Sequence, residues 1–344
     1  MAVTIKEIAQ SAGISIASVS RALNGMPGVS PRTRRRVERL ARDLGYVPDA
    51  QAQALVSGRL PFIALVVPDI TNPFFPAMAR GAEEAAYEAG YSLLLVDTNW
   101  NEERAENALG LLSSRRVAGL LLSVPMAHWA GSSHWETLKD KAVMAGLPSP
   151  NGSCLPSVEV DDIKGGAAVG HHLVEQGFSR IAYIAGPEDD PAAKLRLAGI
   201  EQAISHGGAT ASIVARHFGQ WTEEWGTEAA RLVLERTDAD AIFAANDLLA
   251  LGALQVALEM GRKPGQDLAI VGYDNIDAVA RCTVPLTSVD QPTREVGRQA
   301  VKRLIAIIEG KVGQEEAQSP PHPTLTPTLI CRASTLGPST STKP

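Results

Sequence analysis

The side chains best suited to chemistry in this sequence stand just past short apolar runs. Asn72, Phe74 and Phe75 follow the run Phe62 to Val67, and Asp161 and Asp162 end the run near 158–161. Asn246 and Asp247 follow Ile242 to Ala245, and Asp274 follows Val271-Gly272-Tyr273. Arg196 stands between Leu195 and Leu197 in a helical stretch behind the Gly186-Pro187 turn, and Trp221 opens another helix after 212–217. Loops at the carboxyl ends of parallel strands face the crevice of an α/β sheet, which is where such residues meet a small molecule. An arginine, acids, an asparagine and aromatic planes form a set that grips rather than reacts. It suits a polyhydroxylated ligand, with hydroxyls for the polar forks and C–H faces for the rings. A sugar is the first choice, and a purine or a sugar acid the next. Plainer roles compete. Phe74 and Phe75 could be core, Arg196 could pair with Asp189 or Asp190, one of Asn246 and Asp247 could be only a helix cap, and Trp221 could be packing. Lys194 could add a positive charge.

Reaction chemistry is poorly provided for. No GxGxxG follows the first strand, and no GxxxxGK[ST] phosphate loop or GxSxG serine elbow occurs. Gly165-Gly166 and Gly170 lie in a helical stretch, where packing is the better account. His171 and His172 are adjacent and face different sides of a helix, while His128 and His134 lack ligand spacing. The three cysteines, Cys154, Cys282 and Cys331, are far apart and form no zinc pattern. No enzyme activity, metal or cofactor is expected.

A second set of residues is built for nucleic acid. Thr4 to Glu7 reads as a capping box, and Ile5, Ile8, Ala9 and Ala12 recur at helical spacing until Gly13. Ser15 caps a second helix with Val19, Ala22 and Leu23 inward, closed by Asn24-Gly25. Ser30-Pro31 opens a third, with Val37, Leu40, Ala41 and Leu44 inward. Helix, tight turn, helix and packing helix make a helix-turn-helix, whose second helix enters the major groove. Its outward residues are Ile16, Ala17 and Arg21. Arg21 can fork a guanine, while Ile16 and Ala17 offer apolar contact. Thr4, Ser15, Ser18, Ser20, Asn24 and Ser30 suit phosphates or base edges, and Arg34 and Arg35 can reach the backbone or form a solvated charge run.

Charge supports the division. The chain of 344 residues carries a formal net charge of −6, which alone argues against nucleic acid, but residues 1–60 hold +5 and the remainder −11. No apolar stretch reaches ~18 residues, and the N-terminus lacks a signal peptide's apolar core, so a cytoplasmic protein without membrane contact is expected. From residue 61, apolar runs alternate with helical patterns, which implies parallel sheets covered on both faces. About ten such units exceed one tidy sheet, so two lobes are expected.

The strings TIKEIAQSAGISIASVSRALNG and PGVSPRTRRRVERLARDLGYVPDAQAQAL, with PDITNPFF, GPEDD, RLAG, AAND, ALGAL and VGYDN, resemble the lactose-repressor (LacI) family over nearly the whole chain. The resemblance implies an all-α helix-turn-helix headpiece (1–46), a hinge helix and linker (47–60), and a two-lobed α/β core of the periplasmic-binding-protein type I fold (61–334). The N-lobe would hold about 61–159 and 290–317, the C-lobe about 160–289 and 318–334, with one strand near 325–331 and a disordered tail at 335–344. The expected function is a sequence-specific transcriptional regulator, most often a repressor, working as a homodimer on a palindromic operator under control of a small effector, with a sugar first in line. A sugar-binding transport component is the alternative, disfavoured by the headpiece. In the hinge, Leu55 matches the family's wedge leucine and Ala52 the small contact residue beside it, while Asp49 replaces the usual asparagine. In the core, the resemblance gives Arg196, Asn246 and Asp274 to the ligand, Asp247 to capping or lobe contacts, and Trp221 to stacking. It places the helix 77–89 and segment 281–289 at the dimer surface. Stretch 126–157 departs from the family, lacking the strand that ends in Asp-Arg.

Overall fold

The computed structural model of the chain describes residues 3–46, 60, 62–124, 138, 140–149, 155–206, 211–312 and 324–336. They fall into a small N-terminal unit and a large core, each taken by itself.

The small unit is three helices, α1 (Ile5–Ala12), α2 (Ile16–Leu23) and α3 (Pro31–Asp43). Their starts are written in the sequence. The Thr4 amide and hydroxyl both donate to the Glu7 carboxylate, at 2.6 and 3.0 Å. Ser15 Oγ accepts from the Ser18 amide, and Ser30 Oγ from the Thr33 amide, each at 3.2 Å. Gly13 ends α1 at φ 64°, a left-handed conformation that a Cβ would oppose. Ile8, Ala9, Ala12, Val19, Ala22, Val37 and Ala41 form the core. Leu44 does not join it. It follows the last turn of α3 and is exposed, so the helical period was carried one position too far.

The core begins with β1 (Phe62–Val67), α4 (Phe74–Glu88), β2 (Ser92–Asp97), α5 (Glu102–Ser113), β3 (Leu120–Leu122), β4 (Ala142–Gly146) and β5 (Ser157–Val160). It continues with α6 (Asp162–Glu175), β6 (Arg180–Ala185), α7 (Pro191–His206), β7 (Ser212–Phe218), α8 (Glu223–Arg236), β8 (Ala241–Ala244), α9 (Asp247–Glu259), β9 (Ala269–Asp274), α10 (Asp277–Arg281) and β10 (Thr287–Asp290). It closes with α11 (Thr293–Ile308), β11 (Thr324–Leu325) and β12 (Thr328–Ile330).

Two six-stranded sheets result, in the orders β11-β5-β4-β3-β1-β2 and β12-β10-β9-β8-β6-β7, with the same relative topology. Pairing is parallel apart from β12, which runs antiparallel to β10. Inner strands such as β3 and β8 are buried throughout, as helices on both faces require, whereas the outermost β2 is largely exposed. The chain passes between the sheets three times: between β5 and α6, between β10 and α11, and between β11 and β12.

The last crossing corrects two expectations. The single strand near 325–331, placed with 318–334 in the second lobe, is two strands. β11 pairs with β5 of the first sheet and β12 with β10 of the second. Pro327 lies in the break and supplies no amide for a continuing ladder. The tail expected to be disordered from 335 begins too early. Thr335 is buried and hydrogen-bonds to His172 Nε2 at 2.7 Å and to Thr287 Oγ1 at 2.6 Å.

Helix pairs meet backbone to backbone over glycine. A Cβ on Gly166 of α6 would lie 2.1 Å from the Arg196 carbonyl oxygen of α7. Gly166→Ala should therefore lose about 1–3 kcal/mol or more in urea denaturation. Gly110→Ala, in α5 with nothing within 4 Å of the new methyl, should hold or gain about 0.5–1 kcal/mol. Equal effects at both sites would contradict this packing.

Candidate functional site

Arg196 anchors the cleft between the two sheets. It is 6% exposed on α7. Its Nε donates to Asp162 Oδ1 at 2.9 Å, and its Nη1 to the Ala245 carbonyl at 2.5 Å. The guanidinium lies 3.8 Å from the centre of the Tyr273 ring and 6.0 Å from that of Trp221. Burial disfavours its charge, yet Asp162, Tyr273 and Asp274 together outweigh that and raise its pKa. Its partner is thus Asp162, not Asp189 or Asp190. Asp161 is corrected in the same step. It caps α6 through the Lys164 amide and pairs with Lys164 Nζ at 2.8 Å, away from the cleft lining. Two adjacent acids at a helix start point different ways, and Asp162 takes the inward one.

Asp274 ends β9 at φ 109°, and Asn275 follows at φ 53°. For side chains other than glycine this backbone costs about 1–2 kcal/mol per residue, and the surroundings must hold it. Asn275 receives Arg332 Nη2 on Oδ1 at 2.6 Å, donates Nδ2 to Asp290 at 2.8 Å, and donates its amide to Ser288 Oγ at 3.0 Å. Asp274 is thereby held at the cleft floor, where Gln291 Nε2 donates to it at 2.6 Å. Burial pushes its pKa up to about 7, against the opposing pull of Arg196 and Gln291.

Asn246 borders the cleft and also caps α9, its Oδ1 accepting the Leu249 amide at 2.8 Å. Asp247 turns inward instead, accepting the Ile276 amide at 2.8 Å and Ser288 Oγ at 2.7 Å. Burial, then the charge of Asp274, raises its pKa. Trp221 borders the cleft with Nε1 aimed at Asp190 Oδ2, 3.4 Å away. Gly186 allows the indole to lie on the backbone, since a Cβ there would come within 2.2 Å of the ring. Asn72, Phe74 and Phe75 reach the same cleft, Asn72 turning its own loop by accepting the Phe74 amide at 3.0 Å. The two phenylalanine rings meet edge to face, 5.1 Å apart, with Phe75 buried.

Trp100, Ser123, Gly146, Leu147, Asp190 and Gln291 also line the cleft and were missed. The signal was present. Trp100, Ser123 and Gln291 follow β2, β3 and β10 by the same strand-end rule that found Asp274. Stretch 126–157, which departs from the family, supplies Gly146 and Leu147 at the end of β4. Lys194 is exposed on α7 and is not part of the lining. Among the described residues, no group of three or more His, Cys, Asp or Glu side chains could hold a metal.

In the headpiece, Thr4, Ser15, Ile16, Ala17, Arg21, Ser30 and Arg35 are exposed, while Ser18, Ser20, Asn24 and Arg34 are half-buried. Ile16 is 45% exposed at the start of α2, a poor place for an isoleucine in a free helix. Asn24 Nδ2 is engaged by the Ser20 carbonyl at 2.9 Å. Arg34 braces the loop after α2, donating Nη2 to the Met26 carbonyl at 2.7 Å. Ala52, Leu55 and Asp49 lie outside the described residues.

Residues 4–49 match the bacterial regulatory proteins of the lacI family, and residues 171–335 match the periplasmic binding protein-like domain. The HTH-type transcriptional repressor CytR of Escherichia coli (strain K12) is 35% identical over 311 residues, 90% of this chain and 91% of that protein. The chain belongs to the lacI family. Solved structures of the family carry its fold. The lac repressor dimer bound to operator and the anti-inducer ONPF aligns with TM-score 0.84 at 26% identity, over 98% of this chain and 100% of that one. The complex of the transcriptional regulator CelR with cellobiose aligns with TM-score 0.72 at 32% identity, over 96% and 99%. This lacI-family chain is a DNA-binding transcriptional regulator with a helix-turn-helix headpiece and a two-lobed α/β core.

Asp274 also sets a pH dependence. The folded core retains its proton up to about 7, whereas the ordinary carboxyl value is 3.8. The folded state binds more protons between these values, so the group favours folding at low pH and withdraws that support as pH rises through about 7. Asp274→Asn should gain stability relative to the parent between about pH 5 and 7, by up to about 1.4 kcal/mol per pH unit. Paired thermal or urea melts read the gap. A gap independent of pH would place this carboxylate in a solvated setting.

Proposed function

We propose that this lacI-family regulator is a homodimeric repressor whose affinity for a palindromic operator is set by a small neutral sugar bound in the inter-sheet cleft. In this reading residues 1–46 grip DNA, 47–60 form the hinge, and the core binds effector and pairs the subunits. In this reading the protein works on operator DNA in the cytoplasm; among the described residues no helix is long and apolar enough to cross a membrane. The match to regulators of transcription leaves an enzyme without support. A sugar-transport component is disfavoured by the headpiece.

The observation that carries the effector class is the electrostatic balance around Arg196. Its charge is already met by Asp162, and its second bond goes to a carbonyl. Asp190 and Asp274 add acceptors to the lining, and among the described residues no other arginine, lysine or histidine joins it. Among the described residues, an anionic ligand would meet two acidic side chains and no uncommitted cation. A neutral polyol offers hydroxyl donors to the acids and C–H faces to Trp221 and Phe74. This sets a sugar ahead of the sugar acid that the sequence also admitted. The cellobiose held by the CelR neighbour fits the same chemistry.

On the DNA side, Arg21 is exposed on α2 and its guanidinium lies beside Gly28, 3.6 Å from where a Cβ would stand. Its exposure on α2 supports the reading in which it forks a guanine edge. Arg21→Ala should cost about 1–3 kcal/mol at one base pair per half-site and relax specificity there, as read by titration of palindromic DNA and its single-base variants. A uniform loss across all variants would assign Arg21 to phosphate instead. For the core, a thermal-shift panel of neutral sugars against the matching uronic acids should raise the melting temperature with neutral members alone. A larger shift with the acids would overturn the charge argument.

A further inference from the structure

Among the described residues, four aromatic side chains border the cleft: Phe74, Phe75, Trp100 and Trp221. Three of them have a packing role. Phe75 is buried, Phe74 sits edge-on against it, and Trp221 lies on Gly186 and packs against the apolar core of the second sheet. Trp100 differs, being 43% exposed in the turn between β2 and α5. Folding gains little from a large indole so exposed, yet the chain holds it in place at a cost. Asn99 and Trp100 adopt φ 50° and 55°, the left-handed region that bulky side chains avoid. The turn is fastened to the end of β1. The Thr98 amide donates to the Val67 carbonyl and the Trp100 amide to the Pro68 carbonyl, each at 3.0 Å, while Asp97 Oδ1 accepts the Ile70 amide at 3.1 Å.

Topology gives the position its meaning. The two sheets share one strand order, in which β2 and β7 are the equivalent outermost strands. Trp100 follows β2 and Trp221 follows β7, so each sheet presents one tryptophan from its matching edge to the same cleft. The polar side chains Arg196, Asn246 and Asp274 come from elements of the second sheet's half, as Trp221 does, with Arg196 6.0 Å from the Trp221 ring. Trp100 borders the same cleft from the other sheet, three residues past β2.

We propose that Trp100 is a second stacking platform, which selects a neutral glycoside carrying a second ring over the free monosaccharide. This rests on the sugar reading above. The second ring could be another sugar or a nucleobase, since either offers a face to an indole.

Isothermal titration of the full-length protein with glucose, galactose and ribose, against cellobiose, lactose, adenosine and cytidine, tests it. The best two-ring ligand should bind roughly tenfold tighter than its own monosaccharide. Trp100→Ala should bring that ratio to about twofold with monosaccharide affinity unchanged, and Trp100→Phe should restore part of it. Which of the two-ring groups responds identifies the second ring. Equal weakening of both ligand sizes by W100A, or no change in either, overturns the role of Trp100 and leaves the sugar reading standing. Absence of binding by every compound would overturn both.

Discussion

The buried pair of Arg196 and Asp162 is the interaction on which the rest of the core depends. A guanidinium at 6% exposure is tolerable only with a counter-charge and filled hydrogen bonds. The chain provides these from four separate segments. α7 supplies the arginine, the first turn of α6 the carboxylate, the end of β8 the Ala245 carbonyl, and β9 the Tyr273 ring. Removing one partner would strand a charge in the interior at about 3–5 kcal/mol. The close contact of α6 with α7, made possible by Gly166 and Gly199, brings that carboxylate within reach. The packing that looks purely structural is therefore what fixes the polar floor of the cleft.

That floor is tied to the places where the chain changes sheets. Asp162 opens the element after the first crossing. Gln291, which donates to Asp274, lies in the second. Asn275, beside Asp274, holds Asp290 just before the second crossing and Arg332 just after β12. The unusual backbone at Asp274 and Asn275 is kept by these bonds rather than by its own preference. Under the proposed function, a ligand that draws on Asp274 or Arg196 would pull on the connections between sheets, and a change in how the sheets meet would alter the geometry offered to it. Such coupling would follow from shared residues and need no separate relay.

Local physics was legible in the sequence, and choices made by tertiary contact were not. The starts of α1, α2 and α3 were readable because Thr4, Ser15 and Ser30 act within three residues of themselves. The places of Trp221, Asn246 and Asp274 at the cleft were readable because strand ends face a crevice whatever the details, whereas Arg196, inside a helix, stood out as an arginine between apolar neighbours and through the family resemblance. Asp161 and Asp162 could not be ranked, since one residue of helical rotation decides which carboxylate turns inward and the deciding partner is 34 residues away. Trp100, Ser123 and Gln291 obeyed the strand-end rule but lacked a motif to draw attention. A strand near 325–331 was legible, but not that Pro327 would break it or that its two sides would join different sheets.

The charge division adds a constraint from outside the cleft. A net −6 conceals +5 over residues 1–60 and −11 beyond them. Long-range repulsion between an acidic core and phosphate confines productive DNA contact to the basic segment. Within the core the same excess of acid reappears as Asp190 and Asp274 at the cleft, where burial rather than bulk charge sets their behaviour. Both carboxyls are pushed up by desolvation. A site that already strains to keep two acids out of water favours a guest that donates hydrogen bonds and brings no negative charge. In the proposed reading, the sign of charge that keeps the core off DNA is also the sign that selects what the cleft accepts.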